Sequence, residues 1–139
     1  MAIELTDEMA EEVNNARTNE IPCLVGTVGE DGEPDVAIRG SMMVFDKDHL
    51  AFWERSRLES LENLRSNPKI CVFFRNSKVR GRAWRFYGEA TLFEEGEMRQ
   101  KIMDRVIQIE LDADPERKGF GVLIRVDRVR AGSNVIMER

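Results

Sequence analysis

The chain has 139 residues, 42% of them hydrophobic and 34% charged, with a formal net charge of −5. That length suits one domain with a continuous core and no need of disulfide staples. The acidic balance argues against a general nucleic-acid binder, and no apolar run nears the roughly 20 residues that span a bilayer.

Residues 1–20 form the first expected unit. Thr6 is a fair N-cap, and Met9, Val13 and Ala16 recur at helical spacing behind it. Met1 to Glu12 lack the basic and apolar regions of a secretion signal, so the expected address is the cytoplasm. Residues 21–93 read as barrel strands. Pro22 to Val28 is the first strand, and the Asp31-Gly32 turn sends it back as a hairpin. Asp35 to Val44 is the second, and Asp46-Lys47-Asp48 turns it into a third, His49 to Glu54. A helix over residues 58–66 places Leu58, Leu61 and Leu64 on one face. Asn67-Pro68 stops it, because proline cannot continue a helix and biases its predecessor toward extended geometry.

The fourth strand spans Lys69 to Arg75, and a long one, Arg82 to Phe93, follows the turn at Asn76-Ser77-Lys78. Gly88 inside it marks a bulge or bend. Residues 95–111 are expected as one long second helix, with Met98, Ile102, Val106 and Ile109 on its stripe. Residues 119–139 supply the last strand, where Val122, Ile124 and Val126 alternate with Leu123, Arg125 and Asp127, and a tail. Short turns between the early strands rule against parallel crossovers. The expected fold is mainly β with peripheral helices: a single antiparallel barrel domain.

Cys23 and Cys71 each sit inside an apolar strand, where a thiol behaves as a small hydrophobe; a redox pair is the alternative. His49, the single histidine, excludes a multi-histidine metal site within one chain and falls at a turn exit. In the second strand, Val36, Ile38, Gly40 and Met42 share one parity and are expected inside; Arg39 and Ser41 then lie outside, side by side, where they suit a phosphate. The alternative is a solvated face. From Arg75 to Arg85 the basic residues Arg75, Lys78, Arg80, Arg82 and Arg85 stand among Trp84 and, just beyond, Phe86 and Tyr87. That mixture suits an anionic aromatic ligand, a single-stranded nucleic acid, or simply an exposed hairpin tip. No P-loop, dinucleotide glycine motif, HExxH or CxxC is present, and no side chain stands out as a catalytic acid or base.

Gly32-Glu33-Pro34, Phe52-Trp53, Asn63-Leu64 with Asn67-Pro68, and Phe86-Tyr87-Gly88-Glu89-Ala90 follow in a fixed order. In that order and spacing, from Ile21 to Phe93 with a weaker echo at Gly119 to Val129, the chain resembles the FMN-binding split barrels related to pyridoxamine 5′-phosphate oxidase. The resemblance implies an antiparallel split β-barrel that pairs as a homodimer, with FMN in a cleft between the subunits and a small-molecule substrate. It implies no partnership with nucleic acid or membrane. By position it points to Arg39 and Ser41, to Trp53, Glu54 and Arg55, and to Ser60 and Asn63, with Arg82, Trp84 and Arg85 from the partner. The chain departs from the family where a basic run normally precedes the helix: it has Leu58-Glu59-Ser60, with Ser60 at the lysine position and Glu54 at the common threonine position. Arg55 and Arg57 upstream would have to supply the charge. The implied activity is a flavin-dependent oxidoreductase. The alternatives are a reductase using deazaflavin F420, a non-catalytic binder of flavin or another planar ligand, and a barrel that has lost its ligand.

Overall fold

The structure, a computed structural model, describes residues 2–55 and 59–139. Helix α1 (Asp7–Asn14) opens it, and the Thr6 hydroxyl accepts a hydrogen bond from the Met9 N–H at 3.1 Å. This side-chain cap satisfies one of the donors that a helix start leaves unpaired. Strands β1 (Cys23–Val28) and β2 (Pro34–Arg39) form the first hairpin, and β3 (Met43–Asp46) and β4 (His49–Glu54) the second. Helix α2 (Glu59–Ser66) leads through Asn67-Pro68 into β5 (Lys69–Arg75), which pairs with the long β6 (Ala83–Phe93). Two short helices, α3 (Glu97–Met103) and α4 (Gln108–Asp112), precede β7 (Phe120–Ala131) and β8 (Asn134–Glu138).

All the pairings are antiparallel, and the strands follow the order β2-β1-β5-β6-β7-β4-β3, with β8 added to β7. The two ends of that order, β2 and β3, are consecutive in the chain and are joined through Gly40, Ser41 and Met42. The result is a split barrel whose seam lies between them. The inward residues of β7, Val122, Ile124 and Val126, are fully buried beside Val25, Phe52, Val72 and Phe86. Each such side chain contributes about 1.5–3 kcal/mol by leaving water. Strand β4 is buried on both faces: Leu50 and Phe52 enter this core, while Ala51 and Trp53 enter a second cluster with Ile102 and Val106. Helix α3 covers the outer face of the sheet at that point.

Three expectations change. The second strand does not run to Val44; it breaks at Gly40–Met42, and β3 starts anew at Met43. Its parity is also reversed. Val36 is 68% exposed and Ile38 61%, whereas Ala37 packs on the core, Arg39 is mostly buried and Ser41 is buried. The residues between β2 and β3 let the chain turn across the seam, so Ser41 and Met42 are both covered. The expected helix over residues 95–111 is two helices, with Ile107 extended at ψ 144° and Ile109 exposed. Two β-branched residues, Val106 and Ile107, stand at the break, where helix propensity is low. There the Arg105 guanidinium donates to the edge carbonyls of Phe45 at 2.6 Å and Val44 at 3.1 Å, tying the break to β3.

Gly88 does mark a bulge: the β6–β7 register shifts between Tyr87 and Gly88. A Cβ there would overlap the Arg125 carbonyl oxygen, a backbone atom that cannot swing aside. Gly88→Val is expected to destabilise the fold by about 3 kcal/mol, the upper part of the overpacking range, as measured by urea unfolding.

Candidate functional site

The seam of the barrel is held by polar groups. Arg39, at the end of β2, places Nε 3.0 Å and Nη2 2.9 Å from Glu54 Oε1 at the end of β4. The Glu54 side chain is 2% exposed and that of Arg39 16%, so this ion pair is largely out of water. Beside it, the Ser41 hydroxyl accepts from the Trp53 N–H at 2.9 Å and donates to the Trp53 carbonyl at 3.2 Å. A side chain thereby takes the place of a ladder partner where the strand has broken.

Over this pair lies a cavity of about 480 Å³, lined by Arg17, Glu20, Pro22, Ile38, Arg39, Gly40, Trp53, Glu54, Arg55 and Glu110. Its volume is in the range of small-ligand sites. The arginines are matched by acids: Arg17 Nε is 2.9 Å from Glu110 Oε2, and Arg55 Nε is 3.8 Å from Glu110 Oε1. With Glu20 and Glu54 counted, three positive groups face three negative ones. A Cβ on Gly40 would stand 2.6 Å from Glu110 Oε2 and 2.8 Å from Arg17 Cδ, so glycine is what lets that pair lie against the backbone.

The start of α2 carries a second cavity, of about 400 Å³, lined by Gly29, Glu30, Asp31, Glu33, Glu59 and Asn63. Among the described residues, no cation lines it. Ser60 donates to Asp35 Oδ2 at 3.2 Å, and Asn63 donates to Thr27 Oγ1 at 3.1 Å. A helix N-terminus ordinarily attracts anions, but the described residues beside this one include Glu30, Asp31, Glu33 and Glu59.

Of the residues expected in the site, Arg39, Trp53, Glu54 and Arg55 meet at the first cavity, while Asn63 borders the second and Ser60 lies beside it on α2. Ser41 is spent on the Trp53 backbone. The Trp53 ring is packed in the second cluster, under the Arg99 guanidinium at 4.8 Å, and its indole N–H is donated to Asp114 Oδ2 at 2.8 Å. Arg57 lies outside the described residues. The basic segment is not gathered here. Arg82 is held by Glu8 and Glu12 of α1, Trp84 is in the core stacked on Phe74 at 5.5 Å, and Arg85 lies 4.6 Å from the Phe73 ring centre. Trp84 is 5% exposed in the single chain.

Sequence reasoning missed Arg17, Glu20, Gly40 and Glu110. The Arg17–Glu110 bond joins residues 93 apart, which leaves no local pattern to read. The nearest signal is Glu110 itself, a lone acid between Ile109 and Leu111.

Cys23 is fully buried, and burial pushes its thiol up to about 12, so at neutral pH it is a protonated hydrophobe. Cys71 is raised as well, by burial that outweighs the nearby arginines. The Asp46–His49 hairpin brings His49 Nδ1 within 2.9 Å of both Asp46 Oδ1 and Asp48 Oδ1. The structure uses this histidine in its turn.

A split antiparallel barrel with a charge-matched cavity at its seam defines the class of protein. The sequence model of pyridoxamine 5′-phosphate oxidase matches residues 5–131, and the chain belongs to that family. Among curated proteins, none matches. Among solved structures, a putative pyridoxamine 5′-phosphate oxidase of Lactobacillus delbrueckii is 25% identical with a TM-score of 0.73, over 94% of this chain and 96% of that one. HupZ of Group A Streptococcus is 24% identical with a TM-score of 0.69, over 89% and 90%. An FMN-binding protein of Syntrophomonas wolfei is 17% identical with a TM-score of 0.69, over 88% and 85%, a likeness of fold.

The family implies FMN, and the described residues fit its two parts differently. The first cavity has room for a flat ring, with Ile38 and Pro22 for apolar contact and guanidinium planes that stack on aromatics. For the phosphate, the described residues offer Arg17 and Arg55 around a single Glu110, while Arg39 is paired with Glu54 and acids line the described part of the start of α2. Two like unit charges 4 Å apart near a protein surface repel by about 4 kcal/mol, more than a helix terminus returns.

Two outcomes follow for the seam. Arg39→Ala takes a cation away from the buried Glu54 carboxylate and is expected to cost about 3–5 kcal/mol in chemical unfolding, with Arg39→Ala/Glu54→Leu recovering most of it. For Asp114, burial pushes the carboxyl up, but bonds from the Lys118 N–H, the Trp53 indole and the Gly119 N–H outweigh it and hold it below the ordinary value. A lowered folded-state pKa adds stability above the unfolded value of about 3.9, and this is lost as pH falls through the folded value. Asp114→Asn should lower stability at pH 7 and flatten the acid limb of a stability–pH curve.

Proposed function

We propose that the protein is a homodimer that binds a flavin-class ring at the seam cavity and serves as an oxidoreductase for a small molecule. The observation that carries this reading is the apolar patch beside the cavity. Val36 and Ile38 stand exposed on β2, an edge strand with unpaired backbone groups, and Ile38 also lines the cavity wall. Exposed apolar edge strands are liabilities unless something covers them, and a second copy laid on this face would close the cavity from above. Family membership supports the same pairing. Redox chemistry would belong to the ring, and the protein's part would be to bind it, orient it and keep water away.

The reading predicts a dimer in light scattering and quenching of riboflavin fluorescence by the purified protein. Val36→Glu/Ile38→Glu should give monomers and weaken quenching at least about tenfold, the effect of two carboxylates forced into an apolar contact. A lone wild-type subunit that leaves riboflavin fluorescence unchanged would reject it.

A further inference from the structure

We infer that the outward face of β6 and β7 holds a second site, apart from the seam cavity, at which Arg85, Arg128 and Arg130 take a phosphate group of a small molecule. The inference does not depend on the seam reading. Arg85 and Arg130 are directly opposed across the β6–β7 ladder, and Arg128 is opposed in the same way to Tyr87. Phe86 and Val129, the residues between them, belong to the core, so the three arginines share the outward face. Like charges directly opposite one another on neighbouring strands destabilise a sheet. The chain carries 26 acids, yet among the described residues none forms an ion pair with any of the three. Glu89 and Asp127, on the same two strands, are bound to Arg125. Glu138 stands opposite Arg128 on β8 and makes no ion pair with it.

Rings, not acids, hold these guanidinium groups. Arg85 lies 4.6 Å from the Phe73 ring centre, and Arg128 and Arg130 lie 4.2 and 5.9 Å from that of Tyr87. Arg130 also donates to the Tyr87 hydroxyl at 3.1 Å and, through two nitrogens, to the Gly132 carbonyl at 3.3 Å. Stacking fixes the planes without cancelling the charge, and a guanidinium already held in place loses little freedom on meeting an oxyanion. All three favour the anionic form of the Cys71 thiol, which lies opposite Tyr87 on β5, so their fields overlap at one spot. A phosphomonoester, with close to two negative charges at neutral pH and three acceptor oxygens, suits such a cluster. A long polyanion suits it less, since a chain with a net charge of −5 repels it.

The test is calorimetric titration of the full-length wild-type protein with inorganic pyrophosphate, beside Arg85→Gln/Arg130→Gln and a control for net charge, Lys47→Gln/Lys101→Gln. Wild type and control should bind alike, and the arginine variant at least about tenfold more weakly, the effect of losing charge-assisted hydrogen bonds. Without ligand at low salt, that variant should unfold at the same urea concentration as wild type or a higher one, because a like-charge pair is relieved. Arg128→Gln should weaken binding in the same direction. The phosphate can belong to a free phosphorylated molecule or to a flavin held by a second copy. If the arginine variant loses pyrophosphate but binds FMN and riboflavin as wild type does, the first source holds; if it also loses a preference for FMN over riboflavin, the second does. Failure of wild type to bind pyrophosphate, or equal binding by the arginine variant, overturns the inference, and riboflavin quenching still decides the seam reading by itself.

Discussion

The Arg39–Glu54 ion pair governs both the shape and the chemistry of this molecule. A sheet whose first and last strands are neighbours in the chain needs something to hold its seam, and these two side chains cross it from β2 to β4. A carboxylate at 2% exposure is tolerable only when a cation meets it with well-directed hydrogen bonds. Ser41 adds a second tie through the Trp53 backbone, so the break between β2 and β3 is stitched from both sides.

Charge matching then extends outward from the seam. Arg17, Arg55 and Glu110 repeat the pattern in the wall of the cavity, and Gly40 lets them approach the backbone. A pocket built from paired charges presents flat guanidinium planes and hydrogen-bonding edges but little net field. The apolar face of β2 beside it has the opposite character, and the two together make an edge that suits a second subunit and a planar ligand.

The secondary structure was largely legible in the sequence. The limits of β4 and β5, the Thr6 cap, the Asn67-Pro68 stop and the Gly88 bulge follow from local rules of propensity, capping and turn chemistry. The second strand and the second long helix were not legible as they stand. Alternation in Val36-Ala37-Ile38-Arg39 gives the spacing of faces but not which face is inward, and here Val36 and Ile38 lie outward. The Met98-to-Ile109 stripe suits an unbroken helix, yet the chain breaks where Arg105 reaches the carbonyls of β3. Arg39, Trp53, Glu54 and Arg55 were brought together by the family resemblance. Arg17 and Glu110 were not, since only folding brings them together.

The amino-acid sequence by itself determined the antiparallel barrel pattern and the family, because periodicity, turn residues and motif order are local properties that survive without coordinates. Tertiary structure alone decided which charges neutralise one another. Glu54 in isolation is simply an acid at a strand end; packed against Arg39 it becomes a buried counterion, because desolvation and distance, not residue type, set what a charge can still bind.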